Sequence, residues 1–352
     1  MDEPVVLIGF GVVTPVGLSA QQTATSVRAG VSRVREVSEA DWCGRDGNPY
    51  RGGFLPAAYL DPLHGKTRGV EAESLAGRTL RLGGAALRQL EPLLAPHGIT
   101  PAVILGIGAA HQQPDGSPKR LLDNLMRQAQ VRLRLADSEV LPPGRASGLL
   151  AVQRAMQRLH AGEPGPIIAG GLDSYFDFGR LVDLDFDRRL LNDLNTDGFL
   201  PGEAAALILL ARGTAWRGRW EPRGVVLGPG AGFERGHLGS TEPLRGDGLS
   251  ATLAATLEAV PADRLPCGAV YANLNGESLG AKEWGVAQLR NRRFFAPDVR
   301  LVHPAEYTGD AGAAMGPLLV ALAALGLTER SGLALVWCSS DGGERAALCV
   351  AR

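Results

Sequence analysis

Cysteine and histidine, the side chains that most often serve as nucleophiles or metal ligands, are few and widely spaced in this chain. There are four cysteines and six histidines among 352 residues. No two cysteines have the CxxC spacing, and no histidines have the HxxxH or HExxH spacing of a metal site. The sequence therefore predicts no metal and no resident cofactor. It also predicts free thiols, as expected in a reducing cytoplasm.

A glycine-rich turn near the start resembles a nucleotide-binding turn in context but not in spacing. Gly9-Phe10-Gly11 follows the apolar residues 5–8. Dinucleotide binding needs a third glycine at a fixed distance and a helix that begins at the turn. Thr14-Pro15 interrupts the segment where that helix would begin. The spacing therefore argues against NAD binding.

The overall charge and composition exclude several classes of partner. The 36 basic and 37 acidic side chains leave a net charge of −1, which gives no attraction to nucleic acid. The acidic start lacks the basic region of a secretory signal. Residues 311–328 are uncharged, but they are rich in alanine and glycine and include Pro317. That composition favours a buried helix over a membrane span, so we expect a cytoplasmic protein.

Short apolar runs alternate with segments of helical spacing along the chain, which predicts an α/β fold. Strands are predicted at 5–8, 103–107, 166–171, 204–210, 223–227, 269–274, 333–338 and 346–350, and helices at 18–28, 75–94, 120–135, 146–160, 249–259 and 311–325. The order of turns, helices and strands repeats. It predicts one half at residues 1–215, with an insertion at about 36–70, and a second half at residues 216–352.

Six segments, in order along nearly the whole chain, resemble the β-ketoacyl synthases of the thiolase superfamily. They are VVLIGFGVVTPVG at 5–17, ASG at 146–148 with IAGG at 168–171, DGFLPGEAA at 197–205, NLNG at 273–276, YTGD at 307–310 and DGG at 341–343. The resemblance implies a thiolase-like five-layer αβαβα fold made of two similar halves. It also implies a homodimer.

The residues that carry the chemistry of that family are replaced in this chain. The family uses a cysteine at the N-terminus of a buried helix, where the helix dipole favours the thiolate, and two histidines beside it. By the resemblance, Arg145 occupies the cysteine position, and Asn275 and Asp310 occupy the histidine positions. Asp341 replaces a gating phenylalanine, and the family's lysine has no counterpart in residues 304–307.

These replacements would bring a cation, an amide and a carboxylate into one small space. Because a lone buried charge is strongly destabilising, we predict that Arg145 and Asp310 form an ion pair that plugs the site, completed by Asn275. Asp341 and Glu203 are expected to line the same pocket. In one alternative the pocket stays open and Arg145 binds a carboxylate, a phosphate or a phosphopantetheine arm. In another, Arg145 turns to solvent.

The substitutions predict a catalytically inactive protein with a binding, assembly or accessory role. Inactive relatives of ketosynthases occur as partners of an active ketosynthase and as accessory proteins of bacterial secretion clusters, including type VI effector loci. The loss of every catalytic position suits the second setting. The expected protein partner is thus an effector, a carrier protein or a ketosynthase. A predicted amphipathic helix at 120–135, with Arg127, Arg132 and Arg134, is the candidate surface.

The alternative function is an enzyme that transfers an acyl group or hydrolyses a thioester of acyl-ACP or acyl-CoA. Ser147, two residues from the replaced cysteine, would be its nucleophile. Such a serine needs a base, and no histidine falls within the matched segments. Cys338 and His303 lie near them, and we interpret both as structural residues.

Overall fold

The computed structural model describes residues 3–39, 41–65, 67–108, 117–142, 144–213, 218–327 and 332–352. The strands are β1 (Val5–Val13), β2 (Val34–Glu36), β3 (Arg51–Gly53), β4 (Ala102–Ile107), β5 (Glu139–Val140), β6 (Ile167–Ser174), β7 (Glu203–Arg212), β8 (Gly224–Phe233), β9 (Cys267–Ala272), β10 (Phe295–Val302), β11 (Leu333–Ser339) and β12 (Glu344–Ala351). The helices are α1 (Ala20–Arg28), α2 (Leu75–Arg88), α3 (Glu91–Leu94), α4 (Pro118–Ala129), α5 (Ser147–His160), α6 (Phe178–Phe186), α7 (Asp247–Glu258), α8 (Ser278–Arg290), α9 (Ala305–Thr308) and α10 (Met315–Gly326).

Two groups of strands with the same internal order form the main sheet. From the centre outward, the first group runs β1-β7-β6-β4-β5 and the second runs β8-β12-β11-β9-β10. In each group the first two pairings are antiparallel and the last two are parallel. The groups meet where residues 5–7 pair with residues 224–226. The two halves therefore share one topology.

Three hydrophobic clusters hold the layers together. The central cluster joins α5 and α10 to the facing sides of both strand groups. A second cluster packs α2 and α4 on the outer side of the first group. A third packs α7 and α8 on the outer side of the second group. The layers follow the order αβαβα, and the predicted two-halved thiolase-like fold is confirmed.

The two central helices approach each other closely because glycine lines their contact. A Cβ atom added at Gly148 would lie 2.1 Å from the Ala313 carbonyl oxygen. One added at Gly316 would lie 2.6 Å from the Cβ atom of Leu149. Larger side chains would push the helices apart. The glycines thus allow the segments that precede α5 and α10 to meet at one place.

The arginine-rich segment forms a shorter helix than predicted. Gln130 has a left-handed φ of 58°, which ends α4 before Arg132 and Arg134. Arg127 and Arg134 already pair with neighbouring carboxylates at 2.7 and 2.9 Å. The prediction of one continuous cationic helix face over residues 120–135 is therefore wrong.

Seven elements were not predicted from the sequence: α6, α8, α9, β2, β3, β5 and β10. The helix α8 buries Glu283, Trp284 and Ala287 and has no long apolar stripe.

Within the predicted insertion at 36–70, β3 pairs with β2, and Tyr50 and Phe54 belong to a small separate core. The predicted boundary between residues 215 and 216 lies outside the described residues.

The uncharged segment near the end of the chain is a buried core helix, as predicted. Its helix α10 runs for 12 residues, and it packs in the central layer. Across the described ranges, no helix combines the length and apolar character needed to cross a membrane.

Candidate functional site

Arg145 lies immediately before α5, at the position that sequence analysis assigned to the missing cysteine. The next residue anchors this turn, because the Ala146 amide donates to the Ser340 hydroxyl at 2.9 Å. The Arg145 side chain is 11% exposed, and its Nη2 contacts the Oδ2 atom of Asp310 directly. The predicted ion pair between Arg145 and Asp310 is therefore confirmed.

Asp310, which precedes α10, is the most deeply buried member of the site. Its side chain is 1% exposed. Its Oδ1 accepts from the Gly312 amide at 2.9 Å, and its Oδ2 accepts from Nδ2 of Asn275 at 2.9 Å. Burial raises the pKa of the Asp310 carboxyl, and the Arg145 guanidinium opposes that rise. The backbone and Asn275 thus hold the carboxylate in place beneath the guanidinium.

Two further residues complete the network and were missed by sequence analysis. Arg189 donates to Glu277 through Nε and, at 2.9 Å, through Nη2. Glu277 also accepts from Asn275 at 2.9 Å and lies 3.5 Å from Arg145. Glu277 directly follows the NLNG segment. Its position in the sequence, close to Asn275, could therefore have predicted that it belongs to the site. Arg189 comes from a turn after α6 and carried no signal in the sequence.

Asp341 closes the network on its solvent side. Its carboxylate oxygens lie 3.2 Å from Nη1 of Arg145 and 3.3 Å from Nη1 of Arg189. The side chain is 46% exposed, so Asp341 forms the rim of the site. Burial acts to raise the pKa of Asp341, but the two guanidinium charges outweigh it and hold the pKa below its ordinary value.

The charges of the network divide between the two halves of the fold. Both cations, Arg145 and Arg189, belong to the first half, whereas all three carboxylates belong to the second. Those carboxylates are Glu277, Asp310 and Asp341. The guanidinium carbons lie 5.5 and 5.4 Å from the centre of the Phe199 ring, within range of a cation–π contact. The network is therefore an electrostatic contact between the halves.

Little open space remains beside the network. A cavity of about 50 Å³ is lined by Arg145, Asn275 and Trp337, among other residues. A buried water needs roughly 10–15 Å³, whereas pockets for small molecules measure roughly 300–1,000 Å³. The cavity can therefore hold a few waters but not an acyl chain. Among the described residues, Nε of Arg145 and Nε1 of Trp337 have no hydrogen-bond partner, and both suit water.

Glu203, which was expected to line the pocket, lies elsewhere in the structure. It is fully buried and accepts from Arg78 at 2.6 and 2.7 Å. It also accepts from the Ser174 hydroxyl at 2.8 Å and from the Leu55 amide at 2.7 Å. A carboxylate with this many donors is a structural group of the first half.

Ser147 begins α5 and is 2% exposed. Its hydroxyl lies 2.7 Å from the Gly144 carbonyl oxygen and 3.1 Å from that of Ile107, so its proton is directed at the backbone. Nδ1 of His303 lies 3.8 Å from a carboxylate oxygen of Glu306, and both side chains are partly exposed. Cys338 is fully buried, and burial raises the pKa of its thiol well above the ordinary value. In the described ranges, no group of three or more His, Cys, Asp or Glu residues is arranged to hold a metal ion.

The chain has the fold of solved ketosynthase structures. It is similar to the ishigamide ketosynthase/chain length factor, with 17% identity over 100% of this chain and 99% of that chain at a TM-score of 0.78. It is also similar to an oxazolomycin ketosynthase domain of Streptomyces albus, with 15% identity over 99% and 74% of the two chains at a TM-score of 0.79.

A third solved structure with the same fold is a type II polyketide synthase acyl-carrier protein in complex with its ketosynthase. It shares 14% identity over 100% of both chains at a TM-score of 0.72. No protein-family model and no curated protein matches the chain. At these identities the comparisons establish the fold of the chain.

Proposed function

We propose that this chain is a non-catalytic ketosynthase-fold protein that works by binding other proteins. One observation carries the proposal: Asp310 binds both Arg145 and Asn275, and the resemblance assigns the positions of these three residues to a thiol and two imidazoles. A guanidinium, an amide and an ion-paired carboxylate supply neither the thiol nor the imidazoles with which that family attacks a thioester.

The chemical properties of these side chains support the absence of acyl transfer. A guanidinium stays protonated at any physiological pH, so Arg145 can act neither as a nucleophile nor as a base. The amide of Asn275 does not exchange protons as an imidazole does. Asp310 is held by the Arg145 guanidinium and the Gly312 amide, which leaves it little freedom to move toward a substrate. The 50 Å³ cavity also leaves no room for an acyl chain.

The alternative enzyme, with Ser147 as nucleophile, gains no support from the local geometry. Its hydroxyl is buried and directed at carbonyl oxygens of the chain. A serine needs a neighbouring base and an oxyanion site for acyl transfer. The small cavity near Arg145 is lined by other residues.

The proposed partners are an active ketosynthase, an acyl-carrier protein or a secretion effector. The first two receive support from the similar structures, since one is described as a ketosynthase/chain length factor and another as a carrier protein with its ketosynthase. The effector remains a proposal from the resemblance in the sequence. We further propose a homodimer when no ketosynthase partner is present. Light scattering of the purified chain would test this, and a stable monomer at micromolar concentration would contradict it.

Intact-mass spectrometry separates the binding protein from the enzyme. The purified chain would be incubated with acetyl-, malonyl- and hexanoyl-CoA, beside an active ketosynthase as the positive control. We expect the ketosynthase to gain an acyl mass and this chain to gain none. An adduct that forms on the wild-type chain and is lost in Ser147→Ala would overturn the proposal in favour of the alternative enzyme.

Co-expression tests the binding role directly. The tagged chain would be produced with each ketosynthase, carrier protein or effector candidate encoded beside it, and complexes would be isolated by gel filtration. Retention of one stoichiometric partner supports the proposal. A chain that elutes alone with every candidate contradicts it, provided that each candidate is produced in folded form.

A further inference from the structure

A second, larger cavity lies away from the ion-pair network. It measures about 500 Å³, ten times the space beside Arg145, and falls within the usual range for small-molecule sites. It opens beneath the edge strand β10, between α1 and the C-terminal end of α10. None of the residues of the ion-pair network lines it.

Part of the lining of this cavity is apolar. Val27 of α1, Leu322 of α10 and the following Leu327 line it and also belong to the central core, so they are held firmly in place. Val302 and Leu325 line it too and are only partly buried. Partly buried aliphatic side chains around such a space favour an aliphatic ligand, because covering them removes apolar surface from water.

Positive charge also lines the cavity. Nη2 of Arg300 lies 3.3 Å from the Tyr271 hydroxyl, and Arg28 lines the cavity as well. Burial raises the pKa of Tyr271, while the charges of Arg300 and Arg28 both oppose that rise, which indicates that both lie near the hydroxyl. Among the described residues, no carboxylate lies within 4.0 Å of either guanidinium; Arg28 instead donates to the Thr25 hydroxyl at 3.4 Å.

One carboxylate also lines this cavity. Glu306 lies 3.8 Å from Nδ1 of His303, and both side chains are partly exposed. The guanidiniums of Arg28 and Arg300 outnumber this carboxylate and supply the planar donors that an anion needs. The lining thus combines anion-binding donors with aliphatic side chains.

We propose that this cavity binds an amphipathic carboxylate. Its alkyl chain would lie against Val27, Leu322 and Leu327. Its head group would bond to the guanidiniums of Arg28 and Arg300, whose planar donors match a carboxylate. Tyr271 would donate its hydroxyl proton to the same head group. This cavity shares no lining residue with the cavity beside Arg145. The proposal can therefore be tested independently of the proposed non-catalytic role.

Calorimetric titration of the intact chain with decanoate, kept below its micelle concentration, tests the proposal. We expect saturable binding at one site per chain. Decanol keeps the chain without the charge, and acetate keeps the charge without the chain. We expect decanol to bind at least tenfold more weakly than decanoate and acetate to give no detectable heat. Equal affinity of decanoate and decanol would overturn the proposal.

The double variant Arg28→Gln, Arg300→Gln locates the binding site. Both side chains are exposed, so the variant should fold. We expect its affinity for decanoate to fall at least tenfold. Arg293→Gln removes an exposed arginine that does not line the cavity and should bind decanoate as the wild type does. Wild-type affinity in the double variant, or no saturable binding by the wild type, would reject the site.

Discussion

The guanidinium of Arg145 contacts the carboxylate of Asp310 where the segments preceding the two central helices meet. Arg145 precedes α5 in the first half, and Asp310 precedes α10 in the second. Their contact therefore joins the halves at the centre of the molecule. A cation before one helix alone would be unfavourable, because the N-terminal end of a helix dipole is positive. The carboxylate of Asp310 offsets that repulsion.

Removing the cation of this pair should destabilise the protein strongly. In Arg145→Met the buried Asp310 carboxylate would lose its direct counter-charge. Breaking a buried pair in this way costs about 3–5 kcal/mol of unfolding free energy, which urea denaturation would measure. Adding Asp310→Asn removes the uncompensated charge and should recover part of the loss.

A surface pair provides the matched control for that experiment. Arg88 pairs with Asp61 at 2.7 Å, and both side chains are exposed. Arg88→Met should therefore change the unfolding free energy by less than about 1 kcal/mol. Equal losses of unfolding free energy in Arg145→Met and Arg88→Met would show that the buried pair contributes no more to stability than the exposed one.

The rim carboxylate Asp341 should make stability depend on pH. Its pKa is held below the ordinary value, so its favourable contribution is complete above the unfolded-state value of 3.8 and is lost as the pH falls through the folded-state value. Because the side chain is 46% exposed, the contribution should stay below about 1 kcal/mol. We expect Asp341→Asn to be less stable than wild type at pH 6, and we expect the difference to shrink as the pH falls below 3.8. A difference that grows as the pH falls would contradict this assignment.

The close contact of the central helices predicts opposite effects for two glycine substitutions. Gly148→Ala would place a methyl group against the Ala313 carbonyl oxygen, and overpacking of this kind costs about 1–3 kcal/mol. Gly285 lies inside α8 with no atom within 4 Å of an added Cβ, so Gly285→Ala should stabilise by about 0.5–1 kcal/mol. Thermal unfolding would measure both. A neutral Gly148→Ala would mean that the helices can separate without cost.

Thiol labelling should find one accessible cysteine of the four. Cys43 is exposed, whereas Cys267, Cys338 and Cys349 are buried. Burial raises the pKa of Cys267 to about 11 and raises the pKa of the other two buried thiols as well. DTNB should therefore release one equivalent rapidly from the native chain and four after denaturation. Cys43→Ser should abolish the rapid phase, and a rapid phase from Cys338 would reopen the question of a thiol nucleophile.

The apolar pattern of the sequence predicted the sheet and the central helices because burial decides their composition. The strands β4, β6 and β7 are buried along nearly their whole length, so their apolar runs stand out. The helix α8 packs on the outside and buries few residues, so its sequence has no apolar stripe that would predict a helix. The helix predicted at 120–135 was too long. Gln130 is a residue type that favours helices, but here its backbone is left-handed and ends the helix.

The site was predictable where a matched segment fixed a position and unpredictable where only packing brings residues together. Asp310 and Asn275 fall in matched segments, so the ion pair of Asp310 with Arg145 and its hydrogen bond with Asn275 could be foreseen. Arg189 joins Glu277 from 88 positions away in the chain, and no local pattern distinguishes it from its neighbour Arg188. Glu203 was misplaced because its segment matched, while its side chain pairs with Arg78 and does not line the cavity.

The division of charge between the halves has a consequence for assembly. Since both halves use one strand order, either could in principle dock against a second copy of itself. Two copies of the first half would bring four guanidiniums together, and two copies of the second would bring six carboxylates together. Like charges at close range penalise both mispairings. Fragments made by cutting between residues 213 and 218 should therefore recombine only as unlike pairs.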